Sequence, residues 1–150
     1  MASSYTFAYN DRIEIDIDTD MKKNYYKAII SYNGKNFHGW QSQPTQPSIQ
    51  STLRNTIKTI WNYDNNVEGC SRTDAGVHAY GQVTKLLLPA NKSVHFLKKI
   101  LNDNLPSSIT IRSLEECNEQ FSPRKHALKK LYYYNVAFTK PSPLIHDFVT

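Results

Sequence analysis

The sequence has very little cysteine and no motif that would hold a metal or a nucleotide cofactor. Only two cysteines, Cys70 and Cys117, occur in 150 residues, which excludes a disulfide scaffold and indicates a reducing compartment. No Cys-x-x-Cys pair accompanies histidines at zinc spacing, and neither a P-loop nor a glycine-rich dinucleotide fingerprint is present. We therefore expect neither a metal nor a cofactor.

Long hydrophobic runs and targeting signals are also missing. The chain contains no stretch of eighteen apolar residues, which excludes a membrane-spanning helix. The first 20 residues have neither the apolar stretch of a secretory signal nor the arginine-rich, acid-poor composition of a transit peptide. We therefore expect a cytoplasmic protein with no membrane partner.

The charge is unevenly distributed along the chain. Residues 1–20 carry five acids and one base, whereas residues 21–150 carry 17 basic and 8 acidic residues, a net charge of +9. A basic body favours a polyanionic partner, because contacts with phosphates release counterions and drive binding. The alternative is a charge excess that only keeps the protein soluble.

The pattern of apolar residues predicts seven main elements in the order β-α-β-β-α-β-β. Apolar residues at spacings of three and four follow Ser48 and Ser93, which predicts two helices with serine N-caps. The second helix ends before Leu105 and Pro106. Strands are predicted over residues 26–32, 67–70, 77–88, 109–114 and 131–138.

Without its last strand, this order is the split βαβ pattern of ferredoxin-like folds. We expect an α+β domain over residues 23–150, in which both helices cover one face of an antiparallel sheet. The other face would be free to meet a ligand, as in RRM-like RNA-binding folds. Residues 1–22 form an N-terminal extension, for which an added strand and a flexible, solvated tail are the alternatives.

One short stretch between two predicted strands, residues 71–79, combines groups suited to chemistry. It contains Arg72, Asp74 and Gly76 within five residues. The ordinary interpretation is a turn in which Asp74 bonds the local backbone and Gly76 supplies a positive φ. The alternative is a carboxylate held in an apolar site beside a guanidinium, which suits a nucleophile or a base.

Two other clusters suit nucleic-acid contacts. Lys129 and Lys130 precede three tyrosines, and a phenol ring beside a basic pair can stack on an unpaired base. Tyrosines on a strand also commonly pack against a core. The loop around Trp40 and Gln41 offers amides and aromatics for a base edge, although Trp40 would equally serve to attach the loop to the core.

The run RTDAGVHA at residues 72–79 closely resembles the signature of the TruA family of tRNA pseudouridine synthases. The resemblance extends from about residue 25 to residue 148. Six further blocks match in the same order. The first is YNG at 32–34 together with GWQSQ at 39–43. The others are SIQ at 48–50, NDNLP at 102–106, FSPR at 121–124, ALKKLYYY at 127–134 and PSPLIHDF at 141–148.

The resemblance implies the isomerisation of uridine to pseudouridine in the tRNA anticodon stem-loop, at nucleotides 38 to 40, by a homodimer. Asp74 would be the catalytic aspartate, Tyr132 would stack on the base, and Arg72 would fill the gap left by the flipped nucleotide. The substrate base must leave its stack to be reached, and these contacts compensate for that cost. RNA-binding roles are expected for four more residues: Gln41, Arg124, Lys129 and Lys130.

The chain departs from the family pattern in two respects. Ser71 stands where the family usually has glycine. If that position needed a positive φ, the serine would cost about 1 kcal/mol of stability. The chain also matches only the first of two similar halves, and the cleft of the family lies between them. Two alternatives to a catalytic half therefore stay open: a non-catalytic RNA-binding or ribonucleoprotein component, and one half of a split enzyme.

Overall fold

The computed structural model describes residues 21–150 and the backbone of two N-terminal strands, β1 (Ser4–Tyr9) and β2 (Ile13–Asp18). These two strands pair antiparallel, with Tyr5 opposite Ile17. The N-terminal extension thus contains a two-stranded ribbon. The alternative of a flexible tail over residues 1–22 falls in part on residues outside the described ones.

The main sheet has four strands and two helices in the predicted order. Along the chain these elements are β3 (Lys23–Tyr32), α1 (Ile49–Trp61), β4 (Glu68–Gly69), β5 (Ala79–Pro89), α2 (Val94–Asn104) and β6 (Ile109–Glu116). Within the sheet the strands lie in the order β4-β5-β3-β6, and every neighbouring pair is antiparallel. This is the ferredoxin-like arrangement, so the predicted α+β fold is confirmed.

Local signals fix both helices where the sequence predicts them. The Ser48 side chain accepts a hydrogen bond from the Ser51 amide at 3.1 Å, and the Ser51 side chain accepts one from the Ser48 amide, forming a capping box. Asn62 ends α1 in the left-handed region, with φ 57°. Ser93 caps α2 by accepting from the Phe96 amide, also at 3.1 Å.

The core lies between the helices and one face of the sheet. Alternate residues of β3 face it, and Ala28 and Ile30 are fully buried there. Apolar side chains of both helices complete this core, including Leu53, Ile57, Leu97 and Ile100. The opposite face of the sheet carries Lys27 and Ile29, which are only half-buried. That face is open, as the fold class predicts.

The predicted strand over residues 131–138 is wrong. This segment does not join the sheet, and Leu131 and Phe138 are 75% and 97% exposed. Its backbone bonds the end of the chain instead, since the Ala137 amide donates to the Thr150 carbonyl at 2.8 Å. Alternation indicates a tendency to extend, but a strand also needs a partner. Within the described residues this segment pairs with neither β4 nor β6, the edge strands of the main sheet.

Candidate active site

The loop between β4 and β5 that carries Asp74 is held by backbone hydrogen bonds on both sides of that residue. The Trp40 amide donates to the Thr73 carbonyl at 3.0 Å, and the Gly76 amide donates to the Phe37 carbonyl at 3.1 Å. The Val77 amide closes a turn onto the Asp74 carbonyl, also at 3.1 Å. Residues on both sides of the carboxylate are therefore fixed to the loop that follows β3.

Two glycines allow these loops to approach backbone to backbone. A Cβ at Gly34 would collide with the Val77 carbonyl, and a Cβ at Gly39 would collide with the Thr73 carbonyl. Gly39 also has φ +80°, a conformation that disfavours other residues. The signal for this contact is visible in the sequence only as two glycines in the matched blocks.

Side chains reinforce the same contact. The Tyr32 hydroxyl and the Thr73 hydroxyl form a hydrogen bond of 2.8 Å. Burial raises the pKa of Tyr32, and the bond to Thr73 opposes that shift in part. Trp40 is 2% exposed and packs so closely on Gly69 that a Cβ there would lie 2.5 Å from its indole ring. Trp40 thus attaches the loop to the core, as one of the two interpretations of this residue from the sequence predicts.

His78 completes the support of the loop, and sequence reasoning assigned it no role. Its Nδ1 accepts a hydrogen bond from the Gly34 amide at 3.0 Å. The ring proton therefore sits on Nε2, which donates to the Asp147 carbonyl at 2.7 Å. The Phe148 ring lies 4.9 Å from the imidazole, centre to centre. The only sequence signal was the presence of histidine in the matched run.

Asp147 itself is anchored by a nearby cation. Its carboxylate accepts from the Lys35 ammonium at 2.7 Å and from His146 at 2.8 Å. The Lys35 bond, followed by the His146 bond, holds the pKa of Asp147 below its ordinary value. A short 3-10 turn, His146–Phe148, is thereby fastened to the loop after β3 and to His78.

Asp74 does not lie in the apolar setting beside a guanidinium that one interpretation expected. Both Asp74 and Arg72 are exposed, and Val77 is 43% exposed. No ion pair or side-chain hydrogen bond involves the Asp74 carboxylate within the described part of the chain. The positive φ of Gly76 matches the ordinary turn interpretation, but the bond that closes the turn runs from the Val77 amide to the Asp74 carbonyl and not to its side chain. The loop therefore presents an unpaired carboxylate on a fixed backbone.

Serine causes no strain at position 71. Among the described residues Asn62 is the one non-glycine residue with a positive φ, so Ser71 has an ordinary backbone conformation. Its carbonyl accepts from the Gln82 side chain at 2.5 Å. The departure from the family's glycine therefore carries no conformational penalty.

The structure does not bring the other predicted site residues into contact with this loop. Tyr132 is 64% exposed, and no hydrogen bond or ring contact joins it to the Asp74 loop in the described ranges. The remaining predicted RNA-binding residues are also exposed: Gln41, Arg124, Lys129 and Lys130. Their side chains are accessible to a ligand, and within the described residues none of them forms a hydrogen bond or ion pair with the Asp74 carboxylate.

Two further findings concern sites of other kinds. Nowhere in the described parts of the chain do three His, Cys, Asp or Glu side chains come together to hold a metal ion. The helices α1 and α2 have 13 and 11 residues, and no helix among the described residues is long and apolar enough to cross a bilayer.

The chain is similar to a described protein family and to several curated proteins. Residues 28–124 match a family model described as tRNA pseudouridine synthase. A tRNA pseudouridine synthase A from Hydrogenobaculum sp. is 40% identical over 129 residues, covering 81% of this chain and 52% of the relative. The protein of the same name from Methylacidiphilum infernorum is 40% identical over 109 residues, covering 73% and 43%. That from Ehrlichia chaffeensis is 39% identical over 125 residues, covering 82% and 51%.

Proposed function

This chain belongs to the tRNA pseudouridine synthase family, and from that premise we propose that it acts in the isomerisation of uridine to pseudouridine in tRNA. The proposed target is the anticodon stem-loop at nucleotides 38 to 40. We further propose a cytoplasmic protein that works as a homodimer in its intact form. The chain spans about half the length of the curated relatives it matches.

The observation that carries the proposal is the carboxylate of Asp74. It is exposed and unpaired within the described residues, while Thr73 and Gly76 on either side of it are bonded to the loop after β3. A catalytic group gains from being held in place before the substrate arrives. A carboxylate at the surface of a basic protein also repels nucleic acid, and a role in the chemistry would offset that unfavourable interaction.

The proposed chemistry involves no net oxidation or reduction, because the product is an isomer of the substrate. The C1′–N1 bond of uridine breaks, the uracil turns, and C5 bonds to C1′. N1 gains a proton and C5 loses one, so atoms and charge balance. Asp74 acts on the sugar, as nucleophile at C1′ or as base at C2′. Tyr132 stacks on the uracil, and Arg72 fills the gap that the flipped nucleotide leaves.

The exposure of residues 131–138 favours a second candidate function. A stacking residue needs a wall opposite it, and Tyr132 has none within the described residues. Half a cleft also excludes water poorly. The alternative is therefore a chain that binds RNA without catalysis, or one that becomes active only when a second half supplies the opposite wall.

Release of tritium from an unmodified tRNA transcript made with 5-³H-uridine tests the proposal, because C5 loses its hydrogen in the reaction. The 150-residue chain is assayed alone and with a separately produced second half of a relative. We expect release in at least one preparation, and we expect Asp74→Asn to abolish it while tRNA binding stays unchanged.

The matched control is Asp64→Asn, which removes an exposed carboxylate beside Lys58, beyond the end of α1. It should leave release unchanged. Release by Asp74→Asn at the wild-type rate would refute the catalytic assignment. Salt-sensitive tRNA binding with no release in either preparation would support the binding component instead.

A further inference from the structure

Two β-bulges occur at the same level of the sheet, one on each side of β3. Ile30 pairs with Gln82 of β5, but Tyr32 pairs with Ala79, so β5 contains one extra residue there. On the other side Ile29 pairs with Ser113 and Ile30 with Ile111, so Arg112 is the extra residue of β6. Bulges re-aim side chains and are frequent next to active sites.

The bulge in β5 decides where Tyr80 points. Gln82 is buried on the core side, and simple alternation from it would turn Tyr80 to the same side. The extra residue lets Ala79 pack against the core instead, which sends Tyr80 to the open face, where it is 79% exposed. Tyr80 is the second residue of β5, directly after the Asp74 loop.

Tyr80 and Arg112 meet across the open face. The guanidinium carbon lies 4.0 Å from the centre of the Tyr80 ring. Nη1 of Arg112 donates to the Tyr80 carbonyl at 3.0 Å, and Nη2 donates to the Tyr80 hydroxyl at 3.3 Å. The guanidinium covers one face of the ring, and the large exposure of Tyr80 means that the other face is open to solvent.

The charge of Arg112 is not neutralised by its neighbours. Among the lysines of the open face, Lys27 pairs with Glu115, and Lys85 is 7% exposed over the Tyr25 ring. Arg112 is exposed and has no carboxylate partner in the part of the chain that the structure describes. An open aromatic face next to an unpaired cation is the combination that binds an unstacked base and its phosphate.

We propose that Tyr80 and Arg112 form a stacking platform for an unpaired RNA nucleotide beside the Asp74 loop, with Arg112 contacting the adjacent phosphate. This rests on the proposed function, since it assigns a second contact to the same RNA. The net charge of +9 over residues 21–150 favours a polyanion over an apolar partner. The platform would hold a nucleotide close to the one that reacts.

The test is binding of a fluorescent anticodon stem-loop RNA and of an unmodified tRNA transcript, measured by anisotropy over a series of salt concentrations. Tyr80→Ala should weaken binding by about 5- to 100-fold, the range for one lost base stack. Tyr80→Phe should bind like the wild type because the ring remains. Arg112→Gln should weaken binding and reduce the slope of log K against log salt by about 0.7 to 0.9.

Arg54→Gln is the matched control, because it removes an exposed cation from α1, on the covered side of the sheet. It should change binding little. If the wild type binds tRNA neither alone nor with the second half of a relative, the proposed function fails. If the wild type binds and Tyr80→Ala binds equally well, only the platform fails. A loss in Tyr80→Phe as large as that in Tyr80→Ala would refute stacking.

A second measurement does not depend on the folding of any variant. The wild-type chain is irradiated with the stem-loop RNA carrying 4-thiouridine in place of uridine, and the cross-linked peptides are identified by mass spectrometry. A cross-link in the peptide that contains Tyr80 supports the platform. Efficient cross-links confined to peptides of α1 and α2 would overturn it.

Discussion

The imidazole of His78 accepts a hydrogen bond from the backbone amide of Gly34, 44 residues earlier in the chain, at 3.0 Å. This bond joins the end of the Asp74 loop to the turn after β3. The Gly34 amide is buried, so it has no water to replace the imidazole. His78 is thus a positioning residue for the loop, and its loss would leave the Gly34 amide without a hydrogen-bond partner.

We expect His78→Ala to destabilise the fold by about 1 to 3 kcal/mol, the cost of an unsatisfied buried amide. His78→Asn should recover part of this, since an amide oxygen can accept from Gly34. Urea unfolding measures both. His95→Ala, at an exposed position of α2, is the control and should be neutral. Equal midpoints for His78→Ala and His95→Ala would contradict the role of His78.

Gly39 and Gly76 allow backbone strain to be separated from steric collision. Both have a positive φ, +80° and +78°, but a Cβ at Gly39 would strike the Thr73 carbonyl whereas a Cβ at Gly76 meets nothing within 4 Å. Gly76→Ala should therefore cost about 1 to 2 kcal/mol from φ alone. Gly39→Ala should cost more and should accelerate hydrogen exchange at the Trp40 amide. Equal costs would show that the loops do not touch as described.

Stability should fall at high pH because of buried phenols. Burial raises the pKa of Tyr26, Tyr32 and Tyr63 above 10.0. A phenol with a raised pKa holds its proton more tightly in the folded state, so its contribution is complete below pH 10 and is lost as the pH rises through the folded pKa. We expect the urea midpoint to fall between about pH 9 and about pH 11.

Tyr32→Phe isolates one of these groups. The variant should lose less stability than the wild type over the same pH range, because it has one phenol fewer to ionise. Tyr133→Phe removes an exposed phenol and should keep the wild-type pH dependence. A Tyr32→Phe profile parallel to the wild type would contradict the assignment.

Tyr132 is proposed to stack on the reacting base, and its hydroxyl would assist removal of the C5 proton. Tyr132→Phe should bind tRNA within about twofold of the wild type while releasing tritium about 100-fold more slowly, the usual scale for one acid–base group. The assay uses whichever preparation releases tritium. Tyr133→Phe is the neighbouring control. Weakened binding with unchanged turnover would make Tyr132 an RNA-binding residue with no part in the proton transfer.

The fold was largely predictable because its signals are local. The serine caps and the spacing of Ile49, Leu53 and Ile57 locate α1 without knowledge of its neighbours. The segment 131–138 was mispredicted for the opposite reason, since pairing depends on a partner elsewhere. The candidate site shows the same division: the run around Asp74 is recognisable, whereas the bond from His78 to Asp147 spans 69 residues. The spacing of apolar residues along the sequence does not predict a contact of this kind.

The backbone contacts of the Asp74 loop also couple this loop to the formation of the sheet. The partners of the loop, Phe37 and Trp40, are more than 30 residues earlier, so closing the contact carries the entropy of a long chain segment. Pairing of β3 with β5 shortens that separation to the two loops alone, and the contact between the loops brings β3 and β5 together in turn. The position of the carboxylate is therefore a product of the topology of the fold rather than of its own local sequence.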